Sequence, residues 1–319
     1  MPQDRVQDFL NNPKSYLEAR VAAYRRTRYL RHIHDDRLAG REGDIVGNFW
    51  TTDATGAVVR PSDPVRREFF LSIYMELREE FRLRSGGSGI NFDEADIRAK
   101  ASAAYAAPRL TIVAPSLAPN GLVRFGKFTH LESALTNGKF RIAPASGYAD
   151  PSLNAAQIDN ELQHSAITPN EQMAFKLYGR RTPDGSEEEM PVQPLELFRY
   201  MDVRPFYVLC LSSYFDLRMF HDFEADAALL IHNQDEFARR LNIAMAASVD
   251  AEPLMGPVQY YDPYQVCREQ LIPGFSKHFR YAYQNEVRMI WRPKSSVNPS
   301  TIFVEAGPLD DIAELVRTA

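Results

Sequence analysis

From Pro108 onward the apolar residues stop recurring at helical spacing. They fall instead into short β-branched and aromatic runs, separated by capped helices and glycine turns. That change of texture restricts the chain to a two-part layout: a mainly helical region over 1–115 and an α+β domain over 116–319, joined at Pro115–Pro119. In the first part the spacing predicts helices at Ser15–His34, Asp63–Arg84 and Asp93–Ala107. Pro64 suits a first turn, and Phe69, Ile73, Leu77 and Phe81 line one face. Ser85–Gly89 reads as a loop, because a phosphate cradle needs a strand before the glycines and a helix continues into these.

Strands are predicted at Leu122–Phe128, Lys139–Ala143, Val192–Tyr200, Phe206–Ser212, Ala227–His232, Val258–Tyr261, Glu286–Arg292 and Thr301–Glu305, enough for a pair of small β-sheets with flanking helices. Thr129 and Glu132 have capping-box spacing before Leu131–Leu135, and Gly138 supplies the stop. Further helices are expected at Ser152–His164, Glu171–Tyr178, Asp235–Ala247 and Leu309–Thr318. Thr182–Gly185 is a turn followed by a solvated acidic run, Glu187–Glu189.

Composition narrows the function classes. At 45% hydrophobic and 25% charged, the 319 residues have the make-up of a folded globular protein. The longest apolar runs, such as Phe206–Leu211, fall far short of the roughly 20 residues a membrane helix needs. Met1–Leu10 has no apolar signal core, and Cys210 and Cys267 are too few for a disulfide framework, so the expected compartment is the cytoplasm. Both cysteines read as packing residues. A net charge of -5 argues against whole-surface binding of nucleic acid. A local basic patch does exist: Arg20, Arg25, Arg26, Arg28 and Arg31 stud the first helix, with Tyr24 and Tyr29 between them. It fits a nucleic-acid backbone near Arg25, Arg26 and Arg28, or else a solvated face or a contact with the acidic remainder of the protein. His32, His34, Asp35 and Asp36 are metal-ligand types, but on a continuing helix the two histidines face different ways. They read as a polar helix end, and no metal is expected.

Three blocks carry a family resemblance. Leu122–Pro151 contains Arg124 on a strand, Gly138, Pro144, Tyr148 and then Asp150-Pro151; Leu211–Ile231 contains a strand-end serine and a small-residue turn into a strand; Phe275–Trp291 closes on Glu286-x-Arg288. In order and spacing these are similar to the bacterial family catalogued as domain of unknown function 2971. The chain departs from that pattern at Phe220, Asp222 and Ala227, where Trp, His and Gly are usual. The same residues resemble the arginine-serine-glutamate constellation of ADP-ribosyltransferases: Arg124 on a first strand, Ser212 and Ser213 at a middle strand end, and Gln284-Asn285-Glu286 leading into a late strand. Each residue taken alone also has a plain explanation as a solvent-facing or strand-end side chain.

The resemblance implies NAD as substrate. It also implies an enzyme that modifies a macromolecule, protein or nucleic acid, in the setting of a toxin or phage-defence effector. Glu286 would stabilise the oxocarbenium-like state electrostatically and hold the ribose hydroxyl, and Gln284, two residues earlier on the same side of one extended segment, would position the acceptor. Arg124 would grip the NAD phosphates, Ser212 would orient Glu286 or contact the ribose, Ser213 would belong to the same NAD site, and Tyr148 and Phe223 would pack on the nicotinamide. A variant of the constellation would use His130 in place of Arg124. The alternatives are a non-catalytic nucleotide-binding or regulatory module and an NAD glycohydrolase.

Overall fold

A computed structural model describes residues 3–52, 58–86, 117–154, 156–160, 162–169, 177–178, 185, 189–190, 196–266, 268–295 and 300–318. The N-terminal part is built from α1 (Gln3–Asn11), α2 (Pro13–Thr27), α3 (Asp35–Phe49) and α4 (Pro64–Ser85), with the short strands β1 (Thr51–Thr52) and β2 (Val58–Val59) between the last two. Asn12 starts α2 by accepting the Ser15 amide at 3.2 Å. The expected helix to His34 ends early, because Arg28 turns left-handed at φ 38° and closes α2. His34 instead begins α3, its Nδ1 accepting the Asp36 amide at 3.4 Å. Sequence reasoning missed α3 because Gly40, Gly43 and Gly47 dilute its helix propensity. Burial of Leu38, Ile45, Val46 and Phe49 against the other helices overrides that cost. The expected helix Asp93–Ala107, the PSLAP junction apart from its last residues, and Cys267 lie outside the described residues.

The basic stripe on α2 has an internal partner. Across from it α4 buries Glu76, Glu79 and Glu80, and Arg20 pairs with Glu76, Arg25 with Glu79 at 2.7 Å, and Arg28 with Glu80 at 3.0 Å. Of the three arginines singled out for a nucleic-acid contact, Arg25 and Arg28 thus also make an internal contact with the acidic face of α4, where Glu79 and Glu80 are shared with Arg82 and Arg84, and Arg26 is exposed.

The second part is mixed α+β around one eight-stranded antiparallel sheet, where the sequence led us to expect a pair of small ones. Its strands are β3 (Leu122–Gly126), β4 (Lys139–Pro144), β9 (Tyr207–Ser212), β10 (Ala227–Ile231), β11 (Ala251–Pro257), β14 (Glu286–Pro293), β15 (Ile302–Glu305) and β16 (Ala313–Arg317). The order is β11-β14-β9-β3-β10-β16, with β4 pairing both β9 and β15. Outside it, β5 (Gln163–Pro169) pairs β8 (Glu196–Asp202), β6 (Leu177–Tyr178) pairs β7 (Glu189–Met190), and β12 (Gln259–Tyr261) runs parallel to β13 (Ser276–His278). The helices are α5 (Phe128–Asn137), α6 (Arg218–Asp222) and α7 (Gln234–Ala246).

Three expected helices are corrected here. Turns and the start of β5 replace Ser152–His164; of the expected helix Glu171–Tyr178 the described residues include only Leu177–Tyr178, and these are strand. Leu309–Thr318 becomes β16, because five backbone pairings to the edge of β10 outweigh its helical propensity. The unforeseen β11 carries Pro253 and Pro257, which an edge position tolerates. The capping box also fails: Thr129 lies inside α5, whose first amide, on Phe128, donates to the Asp226 carboxylate.

Gly138 closes α5 at φ +66°, its amide reaching the Ala134 carbonyl at 2.9 Å. A Cβ there would also run into the backbone amide and carbonyl of Gly307. Gly138→Ala is expected to cost about 2–4 kcal/mol, from left-handed strain plus overpacking, measured as a lower urea midpoint with unchanged slope.

The two parts share a core. Tyr264, Phe279 and Ala282 pack in the helical cluster with Leu38, Phe70 and Leu77. Asn48, near the end of α3, donates to the Arg280 carbonyl and accepts the Tyr283 amide, both at 2.7 Å. Buried Arg41 pairs with buried Asp262. No helix among the described residues is long and apolar enough to cross a membrane.

Candidate functional site

The middle of the sheet sets β14, β9 and β3 side by side, with Glu286 opposite Ser212 and Ser212 opposite Val123. One edge of β9 is then divided. It meets β3 only at Ser212 and β4 only at Val208 and Tyr207, and between these contacts it has no strand partner among the described residues. Arg124 answers the exposed backbone there, its guanidinium donating to the Cys210 carbonyl. The split opens a cavity of about 240 Å³ walled by Arg124 of β3, Arg141 and Ala143 of β4, Cys210 and Ser212 of β9, Tyr148 and Asp150 after β4, Phe223 after α6, and Lys277, Gln284 and Glu286.

Of the residues named from the sequence, Arg124, Tyr148, Ser212, Phe223, Gln284 and Glu286 thus line one cavity. Ser213 does not; its hydroxyl donates to the Asn285 carbonyl at 3.1 Å on the exposed side. His130 is exposed on α5 and also lies apart. Cys210, expected in the core, is half-buried with its side facing the cavity.

Two expected roles change. The Ser212 hydroxyl does not hold the Glu286 carboxylate: it lies 2.8 Å from the carbonyls of both Tyr214 and Gln284, and accepts the Tyr214 amide at 3.1 Å. It fastens the strand end to the turn. Nor do Gln284 and Glu286 belong to one extended segment. Gln284 ends a 3-10 turn (Phe279–Gln284), Asn285 is left-handed at φ 43°, and Glu286 begins β14. What brings Gln284 and Glu286 together is Lys277, whose Nζ donates to Gln284 Oε1 at 3.1 Å and Glu286 Oε2 at 3.0 Å.

Lys277, which the sequence did not single out, is buried beside the Tyr281 ring, 4.6 Å from its centroid, with Asp159 at 3.7 Å. Arg288 completes the group: fully buried, it donates from Nε to Glu286 Oε1 at 2.7 Å and from Nη1 to the Gly274 carbonyl at 2.8 Å. The signal for Arg288 was its position two residues after Glu286 in a largely apolar strand, which puts both on one face. Lys277 carried no comparable mark.

Burial alone would raise the Glu286 pKa. The charges of Arg288 and Lys277 overcome that and hold the carboxyl well below its usual range, so it is ionised at neutral pH. Burial and the Glu286 charge push the Tyr260 hydroxyl up, keeping it a neutral partner that accepts the Glu286 amide at 2.8 Å. Arg124, Arg141 and Lys277 outnumber Glu286 and Asp150 on the cavity wall, so the chamber favours an anion, with the rings of Tyr148 and Phe223 as apolar surface. Comparison of the chain with protein-family models, with curated proteins and with solved structures finds no match.

Proposed function

We propose that this chain is an NAD-dependent ADP-ribosyltransferase-like enzyme, in fold and in activity, that modifies a protein or nucleic acid in the setting of a toxin or defence effector and is related to the family its sequence blocks resemble. The observation that carries this reading is convergence: residues from three separated sequence blocks line one cavity, with the arginine, serine and glutamate on three adjacent strands. An electropositive wall suits a diphosphate, with Arg124 and Arg141 as its forks. Glu286, kept ionised, would face the positive charge that develops as the nicotinamide bond breaks. Gln284 and Lys277 would stand beside the incoming nucleophile.

One observation favours a second reading, a nucleotide-binding module without turnover. Lys277 and Arg288 already donate to the two oxygens of Glu286 and offset its charge, so a ribose hydroxyl would have to share those oxygens with them.

The test incubates the protein with adenylate-labelled NAD and cell lysate, beside Glu286→Gln and Arg124→Ala. Transfer predicts label on a macromolecule that falls at least about 100-fold in Glu286→Gln, with NAD binding lost in Arg124→Ala. Free ADP-ribose without labelled macromolecule would mean water is the acceptor. Binding without turnover supports the module, and absence of both label and binding removes NAD from the account.

A further inference from the structure

Side chains of β4 and β15 alternate between the two faces of the sheet. On β4, Phe140 and Ile142 enter the main core, while Lys139 and Arg141 stand on the opposite side, where Arg141 lines the cavity. On β15, Ile302 and Val304 pack with the same core, and Phe303 and Glu305 turn away from it. The register sets Phe303 directly opposite Arg141 and Glu305 opposite Lys139. Opposed residues of paired strands share a face, with Cβ atoms about 4.5–5.5 Å apart. Phe303 therefore stands beside Arg141 on the cavity side of the sheet.

Neither side chain is used by the fold. Phe303 is 76% exposed and joins none of the apolar clusters. Among the described residues β15 is paired on one side only, and an open strand edge is ordinarily blunted with charge or proline, not with a bare aromatic ring. Arg141 is also exposed, and it has no hydrogen bond or ion pair with a described residue. The other cations of the cavity are engaged: Arg124 donates to the Cys210 carbonyl, and Lys277 to Gln284 and Glu286. Lys139 and Glu305, next along the same face, offset each other at 3.5 Å, so Glu305 leaves the charge of Arg141 unanswered. A bare ring next to an unengaged guanidinium, on an electropositive wall, matches a ligand that is flat and aromatic at one end and anionic at the other.

We propose that the cavity extends across Arg141 onto Phe303 as a nucleotide shelf: the phosphates lie on Arg141, with Arg124 deeper, and the base lies flat on the Phe303 ring. Base stacking on an exposed ring and a two-pronged arginine contact with phosphate are the two halves of nucleotide recognition that this pair of residues supplies. The proposal goes beyond the transferase reading, since it needs the anionic preference of the cavity and not NAD turnover. Where that reading holds, the shelf takes the adenylate end of NAD and leaves the nicotinamide end for Glu286.

Calorimetric titration of the whole protein with adenosine 5′-diphosphate and, separately, inorganic pyrophosphate tests it. The diphosphate nucleotide is expected to bind saturably with Kd of about 1 mM or tighter, and at least about tenfold more tightly than pyrophosphate, the worth of one stacked base. Phe303→Ala and Phe303→Leu should abolish that tenfold preference without altering pyrophosphate binding, and Phe303→Tyr should keep it; the side chain is exposed, so its replacement does not open the core. Arg141→Ala should weaken both probes about tenfold. In Phe303→Trp the nucleotide should quench the emission of the added indole and pyrophosphate should not. Three results overturn the proposal: no saturable nucleotide binding, equal affinity for the two probes in the wild type, or a preference that survives in Phe303→Ala. The two readings fail separately. Macromolecular labelling from NAD with an unchanged KM in Phe303→Ala would remove the shelf and keep the transferase, whereas a nucleotide preference lost in Phe303→Ala, without any labelling, would keep the shelf and remove the transferase.

Discussion

Replacing Arg288 by methionine is expected to destabilise the protein by about 3–5 kcal/mol at pH 7, because it leaves a buried carboxylate short of its principal partner. Arg288 and Glu286 are both buried, and in the variant only Lys277 remains to offset the charge. The deficit should shrink as pH falls, and the sign follows from linkage. In the wild type the folded-state pKa of Glu286 lies below its unfolded value, so its contribution is present above about 4.5 and is lost only as pH falls through the depressed folded value. In the variant, burial is no longer outweighed. The folded pKa rises, and protonation of the carboxyl as pH falls relieves the fold instead of weakening it. Urea titrations of wild type and Arg288→Met at pH 7 and at pH 4.5 would show the gap narrowing. Adding Glu286→Gln to Arg288→Met should recover about half of the loss or more at pH 7, since what is costly is the unpaired charge. An equal gap at both pH values would mean that lost packing, not charge, dominates.

What the sequence revealed, and what it hid, divides along physical lines. Strands whose residues are buried on both faces, such as β9 and β10, announce themselves as apolar runs, and their boundaries were read to within a residue or so. The set Arg124, Ser212 and Glu286 was legible from the order of the blocks that carry it, and the register then sets Glu286 opposite Ser212 and Ser212 opposite Val123, the chain neighbour of Arg124. Elements whose state is decided by distant partners were not legible. α3 is held by packing against α4 and the 3-10 turn despite three glycines, and β16 is made a strand by the free edge of β10. For the basic stripe of α2 an acidic contact within the protein was one reading, but its partners could not be named, because they lie about fifty residues away on α4. Lys277 was hidden for the same reason. Its burial follows from how β13, the turn and Asp159 meet, and nothing local distinguishes it from an exposed lysine.

Arg41→Met is expected to cost about 3–5 kcal/mol and to do so for the whole molecule, not for the helices alone. The substitution strands Asp262, 3% exposed, which otherwise receives both Nη atoms of Arg41. Arg41→Lys should recover only part of this, since a single ammonium cannot reproduce the two-pronged contact. The scope of the effect bears on how the chain is divided. Sequence texture suggested a helical unit set apart from an α+β domain, but Asn48, Arg41 and the cluster of Leu38 with Tyr264 and Phe279 tie α3 to the segment that carries Lys277 and Gln284. The two tryptophans report on the two sides: Trp50 packs in the helical cluster, and Trp291 in the main cluster of the sheet. With Trp50→Phe or Trp291→Phe as background, fluorescence follows one side at a time. Coincident urea midpoints, shifted together by Arg41→Met, would establish a single cooperative unit in which the helices hold the candidate site's turn in place. A shift seen by Trp50 while Trp291 stays unchanged would mean that the helices unfold on their own, and that the site keeps its shape without them.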